Sequence, residues 1–329
     1  MKELRWHDDI FMHMAIGLRG CGKTDYALRL AIMLFECWTC QTVWLRHKLT
    51  ELTQEGNFES FLNDAHKHGW CPDEWTAKED GVYTHPKDGD RAIIFRSIST
   101  FSNSRGAGHP NVLFAVFDEM IPEDGRYQPN AKMCVKGLLS LMESFTRGRE
   151  GSFLLVCSNY VTARNPYWAK LHIFNNPKYD VTVFADKACA IEVCRGYNVA
   201  NKKDSKLSRL KKAAGMMDYG DEKSDPLIGL VEPVPKGAKR TGYVIVSNGL
   251  IYRENVQSGI SYWEEVHGDI PNKTIVLSPN VAECTVGVQM VPKWLLKSMT
   301  EQMNNNLLRF SNPNVMFGIL DMIYDGGLV

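Results

Sequence analysis

The sequence contains no apolar run long enough to cross a bilayer. A membrane-spanning helix needs roughly 20 consecutive apolar residues, and no segment of the 329-residue chain approaches that length. Residues 1–9 also lack the apolar core of a signal peptide. We therefore expect a cytosolic protein with no membrane partner.

A net charge is missing as well, since 38 Lys and Arg residues balance 38 Asp and Glu residues. Proteins that bind nucleic acid through bulk charge are strongly basic. The balance disfavours that class and leaves only local basic patches for contact with a polyanion.

The 9 cysteines lack the even count of a disulfide framework, so we expect reduced thiols. Cys37 and Cys40 have the Cys-x-x-Cys spacing of redox and zinc sites. However, they fall between a predicted helix and a predicted strand, and no second Cys-x-x-Cys completes a zinc site. Neither function is expected of this pair, and its role stays open.

The composition is that of a folded protein, with 44% hydrophobic and 10% aromatic residues. A single core rarely grows past about 250–300 residues. The length therefore indicates two domains.

The strongest motif lies near the N-terminus and has the form G-x-x-x-x-G-K-[ST]. Its residues are Gly17, Leu18, Arg19, Gly20, Cys21, Gly22, Lys23 and Thr24. An apolar segment, 10–16, precedes it, and the following stretch, 25–35, predicts a buried helix. In such a loop, backbone amides surround phosphate oxygens, Lys23 neutralises the β- and γ-phosphates, and the Thr24 hydroxyl reaches Mg²⁺. The motif therefore predicts a nucleotide site.

A second apolar segment, 112–117, ends in Asp118 and Glu119. It predicts a buried parallel strand with two carboxylates at its carboxyl end. In phosphate-loop enzymes the first acid holds Mg²⁺ and the second can polarise the attacking water. Asp118 is thus the predicted metal residue and Glu119 the predicted catalytic base.

The same strand favours ATP over GTP as the nucleotide. A GTPase is expected to carry D-x-x-G after this strand and N-K-x-D at the end of a later apolar strand. No glycine follows Asp118 within three residues, and the N-K-x-D match at 201–204 lies in a polar, basic stretch. We therefore expect an ATPase that uses ATP and Mg²⁺.

Polar side chains also follow two other predicted strands. Segment 41–46 ends with Arg46, with Lys48 close behind, and segment 153–157 is followed by Ser158 and Asn159. Open α/β sheets bind ligands at the carboxyl ends of their strands. Arg46 and Lys48 are candidates for contact with nucleotide or DNA, or else ordinary strand-end cations. Asn159 is a candidate sensor of the γ-phosphate, or else a simple turn residue.

A predicted helix over 130–145 is followed by two cations, Arg147 and Arg149. A guanidinium on such a loop can stabilise charge on a phosphoryl group that is being transferred in a neighbouring subunit. Cations near a helix C-terminus are also favoured by the helix dipole. The residues alone leave both explanations open.

In combination, these features resemble the DNA-packaging ATPases of small phi29-like bacteriophages. The resemblance is carried by the phosphate loop, the strand end at Arg46, the Asp118-Glu119 pair, Arg147-x-Arg149, and segments 157–159 and 165–167. It runs through residues 10–175 and continues faintly to the end of the sequence.

The resemblance implies an α/β fold, with a RecA-like additional-strand (ASCE) P-loop NTPase domain followed by a small α+β RNase H-like domain. It implies a homo-oligomeric ring of five subunits that pumps double-stranded DNA into an empty capsid. The ring would act at the portal, or connector, of the prohead in the host cytoplasm, and a packaging RNA is a candidate partner. The family's trans-acting arginine matches Arg147, with Arg149 as the neighbouring candidate, and its metal and base positions match Asp118 and Glu119.

The remaining sequence predicts a linker and a second domain. Residues 202–212 carry six basic side chains and one acid, which indicates a linker. We therefore divide the chain into an ATPase domain (1–200), a basic linker (201–226) and a nuclease-like domain (227–329). The cations of the linker could contact DNA phosphates or be merely solvated. In that last domain we expect a hairpin over 241–252, strands at 260–263 and 274–277, and helices over 292–307 and 314–324. The first strand of a nuclease domain should present a metal-binding aspartate, but the sequence has Ser247 and Asn248 there. Since neutral side chains cannot assemble an anionic two-metal site, we expect no nuclease activity.

Two rival functions remain. One is another nucleic-acid ATPase, such as a helicase or a nuclease-bearing terminase. The other is a nucleotide-gated structural adaptor that binds ATP without turnover, against which the presence of Glu119 argues.

Overall fold

The computed structural model describes residues 9–17, 21–48, 52, 57–98, 111–120, 131–158, 166–173, 181–194, 230–305 and 307–325. These residues divide into two compact units. The first draws on Met1–Gln128, Lys136–Val161 and Asn175–Ser224, and the second on Pro129–Val135, Thr162–Phe174 and Asp225–Val329. Four predicted site residues, Leu18, Arg19, Gly20 and Asn159, lie outside the described residues, as does the predicted linker.

The first unit contains a nine-stranded sheet. Its strands are β1 (Met12–Gly17), β2 (Gln41–Arg46), β3 (Thr76–Lys78), β4 (Gly81–Tyr83), β5 (Arg91–Ser97), β6 (Val112–Asp118), β7 (Phe153–Ser158), β8 (Val181–Phe184) and β9 (Cys189–Cys194). They are hydrogen-bonded in the order β3-β4-β5-β2-β6-β7-β1-β9-β8. The strands from β5 to β9 in this order pair in parallel, whereas β3, β4 and β8 pair antiparallel at the two edges.

This strand order determines how the two strongest motifs meet. β1 leads into the phosphate loop, β6 ends at Asp118, and β7 lies between them. Because the three strands are parallel, their carboxyl ends reach the same edge of the sheet. The motifs are therefore neighbours in space although they are distant in sequence.

The strands predicted from continuous apolar segments are confirmed. Parallel sheets are covered on both faces, so their strands are apolar along most of their length. Ala15, Val116 and Leu155, one from each of the three central strands, are fully buried. The core of this unit thus lies around the strands that carry the motifs.

Three helices accompany this sheet: α1 (Lys23–Trp38), α2 (Asn57–Lys67) and α3 (Ala131–Thr146). Only the part of α3 from Lys136 onward belongs to the first unit. α1 follows the phosphate loop as predicted, and it is longer than the predicted 25–35. It buries Ala27, Leu28, Ala31 and Phe35. An apolar helix next to the loop keeps its N-terminus in a fixed place at the sheet edge.

The second unit contains a six-stranded sheet. Its strands are β10 (Lys239–Ser247), β11 (Leu250–Gln257), β12 (Ile260–Glu265), β13 (Ile275–Ser278), β14 (Val288–Met290) and β15 (Leu308–Phe310). The order is β14-β13-β10-β11-β12-β15. β10, β11 and β12 form an antiparallel meander, while β13, β14 and β15 each pair in parallel with a neighbour.

Three helices complete the second unit: α4 (Pro166–Leu171), α5 (Lys293–Asn304) and α6 (Pro313–Asp325). Lys170 and His172, at and just after the end of α4, contact Asp321 of α6 at 3.2 and 3.3 Å. Gly318 lets α6 approach the sheet, because a Cβ at that position would overlap the Tyr252 hydroxyl. No described helix combines the length and apolar character that a membrane crossing requires.

The predicted hairpin is confirmed, and the predicted end of the following helix is wrong. Asn248 and Gly249, at φ of 52° and 76°, form the turn between β10 and β11, as a tight hairpin requires. The apolar spacing predicts a helix that reaches Leu307, but α5 ends at Asn304 and Leu308 begins β15. The Leu307 carbonyl accepts from the Ser261 amide at 2.8 Å, so pairing with β12 overrides the local helical pattern.

Candidate nucleotide site

The described part of the phosphate loop has the backbone that its motif requires. β1 ends at Gly17, and Gly22 is the N-cap of α1 with φ of 81°. That left-handed conformation favours glycine. At Gly17, a Cβ would overlap the carbonyl oxygen of Cys194 in the adjacent strand β9. Both glycines are therefore needed for the path of the backbone.

Lys23 lies inside the loop, with a relative exposure of 6%. Its Nζ donates to the Gly17 carbonyl at 2.9 Å and to Cys21 Sγ at 3.3 Å. A buried ammonium needs such partners, because its desolvation is costly. The lysine that would neutralise a phosphate is thus held at the start of α1.

Thr24 and Asp118 are joined directly. The Thr24 hydroxyl donates to Asp118 Oδ1 at 3.1 Å, and Asp118 has a relative exposure of 2%. Mg²⁺ prefers hard oxygen donors and is often held by one or two protein oxygens together with phosphates and water. A hydroxyl and a carboxylate converging beside a buried lysine fit a magnesium-bound nucleotide.

Arg46 contacts both acidic residues. Its Nη2 lies 2.7 Å from Asp118 Oδ2, and its Nη1 lies 3.3 Å from Glu119 Oε2. The contact follows from the strand order, since Leu45 of β2 is opposite Phe117 of β6. The sequence placed Arg46 at the correct sheet edge, but its role as counter-charge to the acids depends on β2 lying beside β6.

Glu119 has a left-handed backbone with φ of 57°. A non-glycine residue in this region is held there by its surroundings at a cost of order 1–3 kcal/mol. The next residue, Met120, donates its amide to the Cys157 carbonyl at 3.3 Å, and its carbonyl lies 2.7 Å from His47 Nε2. These contacts hold the turn that follows the buried end of β6.

Ser158 ends β7 beside β1, opposite Ile16. It is buried, and its Oγ has no hydrogen-bond partner among the residues that the structure describes. A buried hydroxyl without a partner is uncommon. At this position, next to the strand that leads into the phosphate loop, it is available to a polar ligand or water.

The two arginines after α3 have different surroundings. Arg149 Nη2 donates to the carbonyls of Val112 and Phe145 at 2.6 and 2.7 Å. Arg147 is exposed, has φ of 50°, and its side chain bonds to none of the described residues. Arg149 therefore binds the backbone of its own chain, whereas Arg147 is directed to solvent.

Cys21 was predicted only as a loop position, and the structure gives it a second thiol as a neighbour. A hydrogen bond with the side chain of Cys194, together with the charge of Lys23, lowers the pKa of Cys21 to about 6, against the effect of burial. No sequence pattern connects Cys21, inside the phosphate-loop motif, with Cys194, 173 positions later. Among the described residues, no group of three or more His, Cys, Asp or Glu could hold a metal ion.

Comparisons with known proteins agree with this geometry. The model of the Podovirus DNA encapsidation protein (Gp16) family matches residues 2–316. DNA packaging proteins of Bacillus phages PZA and phi29 are each 26% identical to the chain, covering 92% of it and 90% of their own length.

Solved structures extend the likeness to the fold. One described as the Phi-28 gp11 DNA packaging motor is 17% identical, with a TM-score of 0.69, over 98% of this chain and 96% of its own. One described as the bacteriophage Phi-29 viral genome packaging motor assembly is 23% identical, with a TM-score of 0.62, over 96% of each chain. Since the family model spans nearly the whole sequence, the chain belongs to the Podovirus DNA encapsidation protein (Gp16) family.

Proposed function

We propose that this protein is an ATP-driven motor subunit that moves double-stranded viral DNA into an empty capsid. The observation that carries the proposal is the Thr24–Asp118 hydrogen bond, which joins the phosphate loop to the strand-end acid. β7, lying between β1 and β6, supports assignment to the additional-strand class of P-loop NTPases. Family membership supplies the biological setting.

Each residue of the site has a role in hydrolysis under this proposal. Lys23 binds the β- and γ-phosphates, and Thr24 and Asp118 hold Mg²⁺. Bound Mg²⁺ would supply charge neutralisation at the phosphate oxygens. Glu119 orients the attacking water and accepts its proton. Arg46 holds both carboxylates in position, and Ser158, at the end of β7, lies where a γ-phosphate sensor is expected. Asn159, the next residue in the sequence, stays the predicted sensor.

We infer that Arg147 is the arginine that acts on the nucleotide of a neighbouring subunit. A trans-acting guanidinium must be free to leave its own chain, and Arg147 is exposed. Arg149 is the weaker candidate, because its guanidinium is bonded to two backbone carbonyls. The proposal requires a ring, for which five subunits are expected from the family.

Contact with DNA would be sequence-independent and made through phosphates. Lys48, at the same sheet edge as the nucleotide site, and the basic residues of 202–212 are the candidates. A neutral protein holding DNA through a few local cations can release it in each cycle. The portal of the prohead, in the host cytoplasm, is the proposed place of action, with a packaging RNA as a candidate partner.

We propose that the second unit is an RNase H-like domain without nuclease activity. Its central order, β12-β11-β10-β13-β14, with an antiparallel meander followed by two parallel strands, supports this assignment. At the carboxyl ends of β10 and β13, Glu283 accepts from the Asn248 amide at 3.0 Å and from the Ser278 hydroxyl at 2.7 Å. Among the described residues, this single carboxylate has no companions that would complete the anionic cluster of a two-metal site. The domain boundaries 1–200, 201–226 and 227–329 are part of this proposal, and the compact second unit adds Pro129–Val135 and Thr162–Phe174.

The test is ATP hydrolysis by the purified protein, alone, with double-stranded DNA, and with DNA and empty capsids. We expect magnesium-dependent hydrolysis that is fastest with all components present. Strand displacement or magnesium- or manganese-dependent nicking would favour the helicase or nuclease reading. ATP binding without hydrolysis under every condition would favour the adaptor reading.

A further inference from the structure

Two thiols meet beside the phosphate loop, and the proposed hydrolysis mechanism uses neither of them. Cys21 lies within the loop, two residues before Lys23. Cys194 ends β9, where it is paired in register with Gly17, the first residue of the loop. Cys21 packs against the buried cluster that contains Cys194, and Lys23 Nζ lies 3.3 Å from Cys21 Sγ and 2.9 Å from the Gly17 carbonyl oxygen. One thiol is thus in the loop and the other is on the strand beside it.

The surroundings of the two thiols differ in a way that makes one the nucleophile. Cys21 is partly exposed and 3.3 Å from Lys23 Nζ, whereas Cys194 is buried. A nearby ammonium and the N-terminus of a helix both stabilise a thiolate. The interaction between the two thiols and the charge of Lys23 lower the pKa of Cys21 to about 6, whereas the same interaction and burial raise the pKa of Cys194.

Other described cysteines lack this combination. Burial raises the pKa of both Cys71 and Cys189 to about 12. Cys157 is buried, and its pKa is raised well above the ordinary value by burial and by Asp118. Cys37 is exposed, at the far end of α1. Cys37 therefore serves as a matched control for reagent access.

We propose that Cys21 and Cys194 form a reversible disulfide that switches off the nucleotide site when the protein meets hydrogen peroxide. The Cys21 thiolate attacks one peroxide oxygen, the O–O bond breaks, and the second oxygen leaves as water after protonation, giving a sulfenic acid on Cys21. The Cys194 sulfur then attacks the Cys21 sulfur, the S–O bond breaks, and a second water leaves with the Cys194 proton. Two electrons pass from the thiols to the peroxide, and a dithiol reductant reverses the bond.

The disulfide would act on the loop in two ways. It ties Cys21 covalently to the end of β9, which restrains the phosphate loop against the sheet edge. It also removes the thiolate that contacts the Lys23 ammonium. The loss of nucleotide binding rests on the proposed function, whereas formation of the disulfide does not.

To test this, the protein is treated with hydrogen peroxide, the remaining thiols are alkylated with iodoacetamide, and the peptides are mapped by mass spectrometry. We expect a Cys21–Cys194 cross-linked peptide that disappears after dithiothreitol. In parallel, titration with a fluorescent ATP analogue should show affinity reduced at least about tenfold and restored by the reductant. The Cys194→Ser and Cys194→Ala variants should bind nucleotide normally when reduced and should yield no such peptide. The Cys37→Ser variant should behave as the wild type.

The outcomes separate the two claims. If Cys21 and Cys194 are both recovered alkylated at peroxide concentrations that oxidise Cys37, the disulfide proposal is wrong. If the cross-link forms but ATP affinity stays unchanged, the switch is wrong while the disulfide stands. If the reduced protein binds no ATP at all, the proposed function fails and the peptide map still decides whether the disulfide forms.

Discussion

The Thr24 hydroxyl donates a hydrogen bond to Asp118 Oδ1 at 3.1 Å across 94 positions of sequence. Thr24 lies in the first turn of α1, directly after the phosphate loop. Asp118 ends β6, which is separated from β1 in the sheet by β7. The pair is the structural link between phosphate binding and the acid that would hold Mg²⁺.

Removing the Thr24 hydroxyl should weaken nucleotide binding. Thr24→Ala takes one oxygen from the proposed magnesium site and leaves buried Asp118 with one donor fewer. Since a hydrogen bond to a charged group contributes about 1.5–3 kcal/mol, we expect magnesium-dependent ATP affinity to fall by roughly tenfold or more. A fluorescent-analogue titration measures this. Thr24→Ser, which keeps the hydroxyl, should stay close to the wild type, and equal affinities for the Ala and Ser variants would refute the assignment.

Glu119 should be needed for hydrolysis and not for binding. Glu119→Gln keeps the size of the side chain but cannot accept a proton, so we expect ATP to bind normally and phosphate release to fall by about 10²–10⁴-fold. Single-turnover phosphate release measures the effect. Glu36→Gln, at an exposed position of α1, is the control and should be unaffected. Residual hydrolysis near the wild-type rate would remove Glu119 from the role of base.

Arg147 and Arg149 should fail in different ways. Arg147→Ala should leave nucleotide binding intact and lower hydrolysis by about 10³-fold or more, as expected for an arginine finger. Arg149→Ala should instead lower the melting temperature, because it removes the donor to Val112 and Phe145. Mixing Arg147→Ala with Lys23→Ala subunits should restore activity at sites that combine the intact residues. The trans role loses its support if no mixing ratio restores hydrolysis.

As the pH is raised, Cys21 should become reactive at a lower pH than an ordinary thiol does. Its pKa is lowered to about 6, so the thiolate is formed above pH 6, whereas an ordinary thiol with a pKa of 9.0 is still protonated there. The rate of Cys21 alkylation, followed by peptide mapping from pH 5 to 9, should therefore reach half its maximum near pH 6. Exposed Cys37 is the internal reference. A Cys21 profile that coincides with that of Cys37 would contradict the shift.

Local patterns were sufficient to predict the motif-bearing elements. The apolar segments around Val116 and Leu155, and the glycine-free stretch after Thr24, each specify one buried strand or helix with little help from the rest of the chain. The residues that end these elements were therefore placed at one sheet edge correctly. Lys23, Thr24 and Asp118 could be placed at this edge in this way.

Contacts between distant segments could not be predicted in the same way. The Arg46–Asp118 ion pair and the Cys21–Cys194 contact both depend on which strands are neighbours in the sheet. The residues around each of them in the sequence do not indicate that order. β3 and β4 are only three residues long, which is too short for an alternating pattern to be recognised. At Leu307, tertiary pairing with β12 overrides an apolar spacing that favours a helix.

The most direct test of the motor proposal is the amount of DNA that becomes protected from nuclease inside empty capsids. Purified protein, ATP, Mg²⁺ and double-stranded DNA are combined with proheads, in parallel with Lys23→Ala and Glu119→Gln protein. We expect protected, full-length DNA with the wild type and none with either variant. Protection that is equal for wild type and variants, or none with an actively hydrolysing wild type, would contradict it.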